Sequence, residues 1–198
     1  MKIQTLTIAL ALGCSSAVAI NAAIHQSVVA QQTTRTAQLS SSQRARLKSL
    51  GVKIPVPRYV PAGFSIDSVR TERRGSGGSK SLEYAILYRL SKPQPLCFTI
   101  EATNAGIGDP PELASKLPMN SRIFGNGYSL NYGKYTDPDL RKQFPEPDLY
   151  TDWLEGNGMF YRLIGAAQTR ETYKTRDCKD ISPREAVRIA ESLQYFNP

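Results

Sequence analysis

The sequence predicts an α+β domain, an antiparallel β-meander with a C-terminal helix packed on one face of its sheet. Three observations predict it. Apolar and polar residues alternate over 82–90 and again over 96–103, which is the period of a strand. Asn157-Gly158 stands between two apolar stretches, and this dipeptide takes the positive φ angles of a tight hairpin turn. Ser182-Pro183-Arg184-Glu185 precedes Ala186, Ile189, Ala190 and Leu193, so a capping box with proline at its first position opens a helix with one apolar stripe.

The remaining elements follow in chain order. Residues 42–50 predict a short helix capped by Ser42 and stopped by Gly51, with Ala45, Leu47 and Leu50 as its apolar side. Pro55, Pro57 and Pro61 force residues 54–61 into extended backbone. Residues 64–72 predict a strand, and the Gly/Ser-rich stretch 73–80 a flexible hairpin loop. Over 82–90, Leu82, Tyr84, Ile86, Tyr88 and Leu90 take one face while Glu83, Ala85, Leu87 and Arg89 take the other. Leu96, Phe98, Ile100 and Ala102 then alternate with Cys97, Thr99, Glu101 and Thr103. Residues 104–120 and 135–148 read as long Gly/Pro loops around a strand at 128–132. Strands at 149–155 and 159–166 flank the Asn157-Gly158 turn.

The N-terminus predicts export. Lys2 is the only charged side chain before position 31, residues 6–12 are strongly apolar, and small residues follow as far as Val28-Val29-Ala30. A charged start, an apolar middle and a small-residue exit make a signal peptide over 1–30, cleaved after Ala30 or, as the second choice, after Ala19. An uncleaved anchor and a lipoprotein acylated at Cys14 remain open alternatives. Residues 31–51 then form a polar tether with the short helix, and 52–198 a single domain. The predicted location is periplasmic or extracellular.

Export changes the chemistry at hand. Cleavage removes the single histidine, His25, and leaves Cys97 and Cys178, with 24 basic against 17 acidic side chains and a net charge near +7. Without histidine there is no Ser-His-Asp or Cys-His pair and no histidine zinc site. The sequence contains no Ser-x-x-Lys, Gly-x-Ser-x-Gly, Walker-type or dinucleotide-binding glycine motif. The expectation is therefore a non-enzyme with no cofactor and no metal. In an oxidising compartment Cys97 and Cys178 are expected to form a structural disulfide across about eighty residues, worth about 2–4 kcal/mol.

Four stretches together carry a resemblance: Val56-Pro57-Arg58-Tyr59-Val60-Pro61-Ala62-Gly63-Phe64, Cys97-Phe98-Thr99-Ile100-Glu101, the segment from Trp153 to Tyr161, and Ser182 to Leu193. They resemble exported or envelope-attached bacterial domains of unknown function, and the cysteine pair resembles that of cyanobacterial secreted proteins. The resemblance implies the fold and the export, and it supplies no catalytic residues.

The candidate binding residues are Arg58, Arg70, Arg73, Arg74 and Lys80, which cluster in sequence around one loop and its approach. Such a set attracts anions. Outside the cell this points to acidic polysaccharide, a membrane surface or an acidic envelope protein, and away from nucleic acid. Asp137, Asp139, Glu146, Asp148 and Asp152 read as turn formers and not as a calcium loop, because Pro138 interrupts the Asp-x-Asp. Tyr84, Tyr88, Tyr128 and Tyr132 obey strand alternation and are expected to pack against the sheet. Glu83, Glu101, Asp152 and Glu155 lie on or beside strands. They support an alternative, a carboxylate-based hydrolase, which requires two acids about 5–9 Å apart in one cleft. A binding module instead predicts a basic or aromatic patch without a buried carboxylate, and a structural envelope protein predicts neither.

Overall fold

The structure, a computed structural model, describes residues 38–74 and 81–196. The predicted signal segment, Cys14, His25 and Lys80 lie outside the described residues. The elements are α1 (Ser41–Lys48), β1 (Ile54–Pro57), β2 (Ser65–Arg74), β3 (Ser81–Leu90), β4 (Leu96–Thr103), β5 (Leu113–Ser121) and β6 (Gly125–Tyr135). They continue as α2 (Pro138–Gln143), β7 (Asp148–Thr151), β8 (Leu154–Gly156), β9 (Met159–Ile164), α3 (Ala166–Tyr173), α4 (Pro183–Glu191) and β10 (Leu193–Phe196).

The main sheet runs β2-β3-β4-β9-β7-β6-β5, with β8 beside β7 on the same edge of β9. Every pairing in it is antiparallel. The meander β2-β3-β4 is followed by a connection to the far edge, and the chain then walks back through β5, β6 and β7/β8 until β9 docks against β4. The Asn157-Gly158 turn makes that return possible. Asn157 at φ 52° and Gly158 at φ 71° form the expected tight hairpin between β8 and β9. A second, two-stranded ribbon pairs β1 with β10.

Both faces of the main sheet are covered. On one, Tyr84, Ile86, Tyr88, Phe98, Ile100, Leu130, Leu149, Tyr161 and Leu163 pack with Leu47 of α1, Ile54 of β1 and Ala186, Ile189 and Ala190 of α4. The C-terminal helix α4 thus packs on one face of the sheet, as predicted. Its cap is half a capping box: the Ser182 hydroxyl accepts from the Glu185 N–H at 3.2 Å. The Glu185 carboxylate turns instead to Tyr59 and Arg188.

On the opposite face lie α3 and α2, neither foreseen. Leu87, Cys97, Ala166 and Cys178 form one apolar cluster, and Leu113, Tyr135, Tyr150 and Ile164 form another with Leu140, Phe144 and Tyr173. The expected loop at 104–120 contains strand β5, the expected loop at 135–148 contains α2, and the strand expected to reach 166 ends at Ile164. The folded domain also reaches back past residue 52, since Leu39, Leu47 and Leu50 are buried in the first core. Ser40, not Ser42, caps α1, through a capping box with Gln43.

Helix α3 is fixed at three points. The Asp180 carboxylate accepts from the Ala166 N–H at its start, 2.5 Å away. Thr169 bonds Thr99 through buried hydroxyls at 3.0 Å. Arg70 donates to the Tyr173 carbonyl at its end, 2.5 Å away. An anion at the helix start and a cation at its end both match the helix dipole. The loop after α3 is stapled by Cys97–Cys178, with Cα atoms 5.7 Å apart, and by Arg89, which donates to the Arg176 and Asp177 carbonyls.

Asp180 makes this anchorage pH-dependent. Burial pushes its carboxyl up to about 6, with Asp148 adding to the rise, while the Ala166 N–H and Arg170 oppose it. The folded chain therefore holds a proton that the unfolded chain releases nearer pH 4. Stability from this group is greatest below that point and falls as pH rises to about 6, by up to about 3 kcal/mol. Asp180→Asn keeps an acceptor for Ala166 and does not titrate. Urea unfolding from pH 3.5 to 7 is expected to show the wild type losing stability relative to the variant across that window. Parallel profiles would contradict the assignment.

Candidate functional site

A cleft of about 790 Å³ opens on the α3 side of the sheet. Its floor follows from strand register. Arg70 of β2 pairs with Ala85 of β3, Ala85 with Glu101 of β4, and Glu101 with Arg162 of β9. The adjacent row on the same face holds Glu72, Glu83 and Thr103. Small Ala85 sits between Arg70 and Glu101, so the row is low at that point. The end of α3 (Thr172, Tyr173), Trp153 and the loop 105–108 supply the walls. That loop is held by the Ala105 N–H donating to the Thr103 hydroxyl at 3.0 Å.

Glu101 is the buried centre, 8% exposed. Arg162 Nε donates to its Oε1 at 2.5 Å, and the Tyr173 hydroxyl donates to its Oε2. Burial, reinforced by the charge of Glu101, pushes the Tyr173 phenol well up, so it stays a donor. The Arg162 guanidinium lies over the Trp153 ring at 4.2 Å, a cation–π contact that fixes its plane. Trp153 owes its place to a kink: Asp152 accepts from the Ser129 N–H at 2.6 Å and the Asn131 amide at 2.8 Å, breaking the strand between β7 and β8.

The rim is basic. Arg70 stacks on Tyr173 at 5.3 Å as it caps α3, and Arg46 donates to the Val69 carbonyl at 3.1 Å. Neither has an acidic partner among the described residues. Arg74 is paired with Glu72 at 2.6 Å on the exposed surface.

The five basic residues singled out in the sequence therefore separate. Arg70 and Arg74 line the cleft. Arg73 alternates to the other face of β2 and donates to the Ser49 carbonyl at 2.7 Å. Arg58 is exposed elsewhere, beyond β1, where its N–H meets the Ser192 carbonyl at the end of α4. Of the four strand carboxylates, Glu83 and Glu101 share the cleft, Asp152 is held in the kink, and Glu155 is exposed. Asp137 caps α2, and Asp148 accepts from Tyr135 and Gln168. Tyr84 and Tyr88 are buried in the core.

Arg162 and Tyr173 escaped the sequence reading. Their grouping depends on β9 docking beside β4, and adjacency in sequence signals nothing of it. The buried carboxylate at Glu101 also departs from the patch expected of a binding module, although an arginine neutralises it. No known protein family matches this sequence, and neither a curated protein nor a solved structure is significantly similar to it.

Proposed function

We propose that the chain is an exported binding domain whose cleft receives the acid group of a ligand. One observation carries the reading: two arginines overlook the same cleft with donors left over. Arg162 engages Glu101 through Nε alone, and Arg70 engages Tyr173 through Nη2. A guanidinium has five N–H donors in a planar fork that suits a carboxylate. Trp153 and Tyr173 hold the two planes, so little side-chain freedom is lost on binding.

Export is supported by the charge-poor apolar N-terminus and by the buried Cys97–Cys178 bond, which belongs in an oxidising compartment. No helix among the described residues is long and apolar enough to cross a membrane. An acidic polysaccharide end or an acidic envelope partner would offer the required group.

The test uses hexanoate as a minimal acid probe, with hexanamide as its neutral control. Calorimetry is expected to detect hexanoate and not hexanamide, with affinity falling as salt is raised. Arg70→Gln, at an exposed position, is expected to weaken hexanoate about tenfold without unfolding the protein. Equal binding of acid and amide would overturn the reading.

A second reading, hydrolysis by two carboxylates, is favoured by one specific feature. Glu83 and Glu101 are diagonal neighbours on adjacent strands and line one cleft, a placement from which two carboxylates can flank a glycosidic bond. Turnover of aryl glycosides, lost in both Glu83→Gln and Glu101→Gln, would be its mark.

A further inference from the structure

We infer that the ligand is a zwitterion, with a cationic group received by Glu83 in addition to the acid group received by Arg162 and Arg70. The inference rests on the acid-binding reading and specifies it. Among the cleft acids, Glu72 is engaged with Arg74, and Glu101 with Arg162 and Tyr173. Glu83 is half-buried at the cleft floor and makes no hydrogen bond or ion pair with the described residues, although Arg74 is near enough to feel its charge. A carboxylate set in a basic cleft repels an acidic ligand unless the ligand brings a donor to meet it. Glu83 thus selects against simple anions and for molecules carrying both signs.

The register sets the spacing. Glu83 faces Thr103, which faces Phe160, and Arg162 is two residues further along β9. Two strand spacings across and one pleat repeat along place the two Cα atoms about 12 Å apart. With both side chains rising from the same face and leaning over the cleft, charges spanning roughly half of that distance fit between them. That is the separation between the ends of a short peptide or of a five- to six-carbon ω-amino acid, and the cleft is ample for either.

The experiment is a titration of the oxidised protein with β-alanine, 4-aminobutyrate, 6-aminohexanoate and 8-aminooctanoate, with hexanoate and hexylamine as single-charge controls. Affinity is expected to peak at 6-aminohexanoate, at least tenfold tighter than hexanoate. In Glu83→Gln that advantage is expected to vanish and hexanoate to bind more tightly than in the wild type, because the repelling charge is gone, with an unchanged circular dichroism spectrum showing that the fold is kept. If hexanoate and 6-aminohexanoate bind the wild type equally, the role of Glu83 is overturned and the acid-binding reading stands. If hexylamine binds as tightly as 6-aminohexanoate, or if no probe binds, the acid-binding reading falls as well.

Discussion

Arg162→Met is expected to lower the free energy of unfolding by about 3–5 kcal/mol. The magnitude comes from what is left behind. Arg162 and Glu101 meet at 2.5 Å with side chains only 20% and 10% exposed, so removing the guanidinium strands a carboxylate with the Tyr173 hydroxyl as its remaining partner. A buried pair is itself worth little against an apolar replacement, because desolvation offsets most of the Coulomb gain. A broken one is costly. One further outcome follows. Adding Glu101→Gln to Arg162→Met is expected to recover the loss to within about 1–2 kcal/mol, since an amide still accepts from Tyr173 and needs no counter-charge. A cost below about 1 kcal/mol in urea unfolding would mean that water reaches Glu101 freely, as at a surface pair.

Removal of the Cys97–Cys178 bond, as Cys97→Ala with Cys178→Ala, is expected to cost about 2–4 kcal/mol. The bond closes a separation of 81 residues between fully buried positions, so the unfolded chain gains much freedom when it is lost. The effect on the cleft is as informative as the effect on stability. The staple holds the loop after α3, and the end of α3 carries Tyr173. Arg89 and the short bridge between Leu96 and Lys179 remain to retain the loop, so the variant is expected to fold. Hexanoate affinity is expected to drop several-fold as Tyr173 loosens from Glu101 and Arg70. Unchanged affinity beside a lowered urea midpoint would confine the disulfide to a purely structural role.

The elements legible in the sequence are those whose signals are local. β3 and β4 alternate cleanly, Asn157-Gly158 dictates its own turn, and the Ser182 cap with its apolar stripe specifies α4. The elements that escaped depend on tertiary partners. β5 carries Lys116, Pro118 and Asn120 on an edge strand, where a missing N–H is tolerated. Its residues thus look like a loop until β6 pairs with them and Glu191 of α4 takes the Asn120 N–H. α3 buries only Ala166 and Thr169, and one of these is polar, so no apolar period announces it. It is held by Asp180, Thr99 and Arg70, all distant in sequence. The same reason divides the site. Arg70, Arg74, Glu83 and Glu101 were visible as charged residues near strands, but only the docking of β9 against β4 brings Arg162 and Trp153 to them and completes the cleft.

The central claim is that this cleft binds an acid group, and Trp153 reports on it directly because it is the only tryptophan in the chain. Its fluorescence, followed while hexanoate is added to the oxidised protein, is predicted to change saturably as the ligand engages Arg162 on the indole face. The same titration on Arg70→Gln is predicted to need about ten times more hexanoate. A Trp153 signal that stays flat while calorimetry records hexanoate binding would place the acid site elsewhere on the protein and contradict the account.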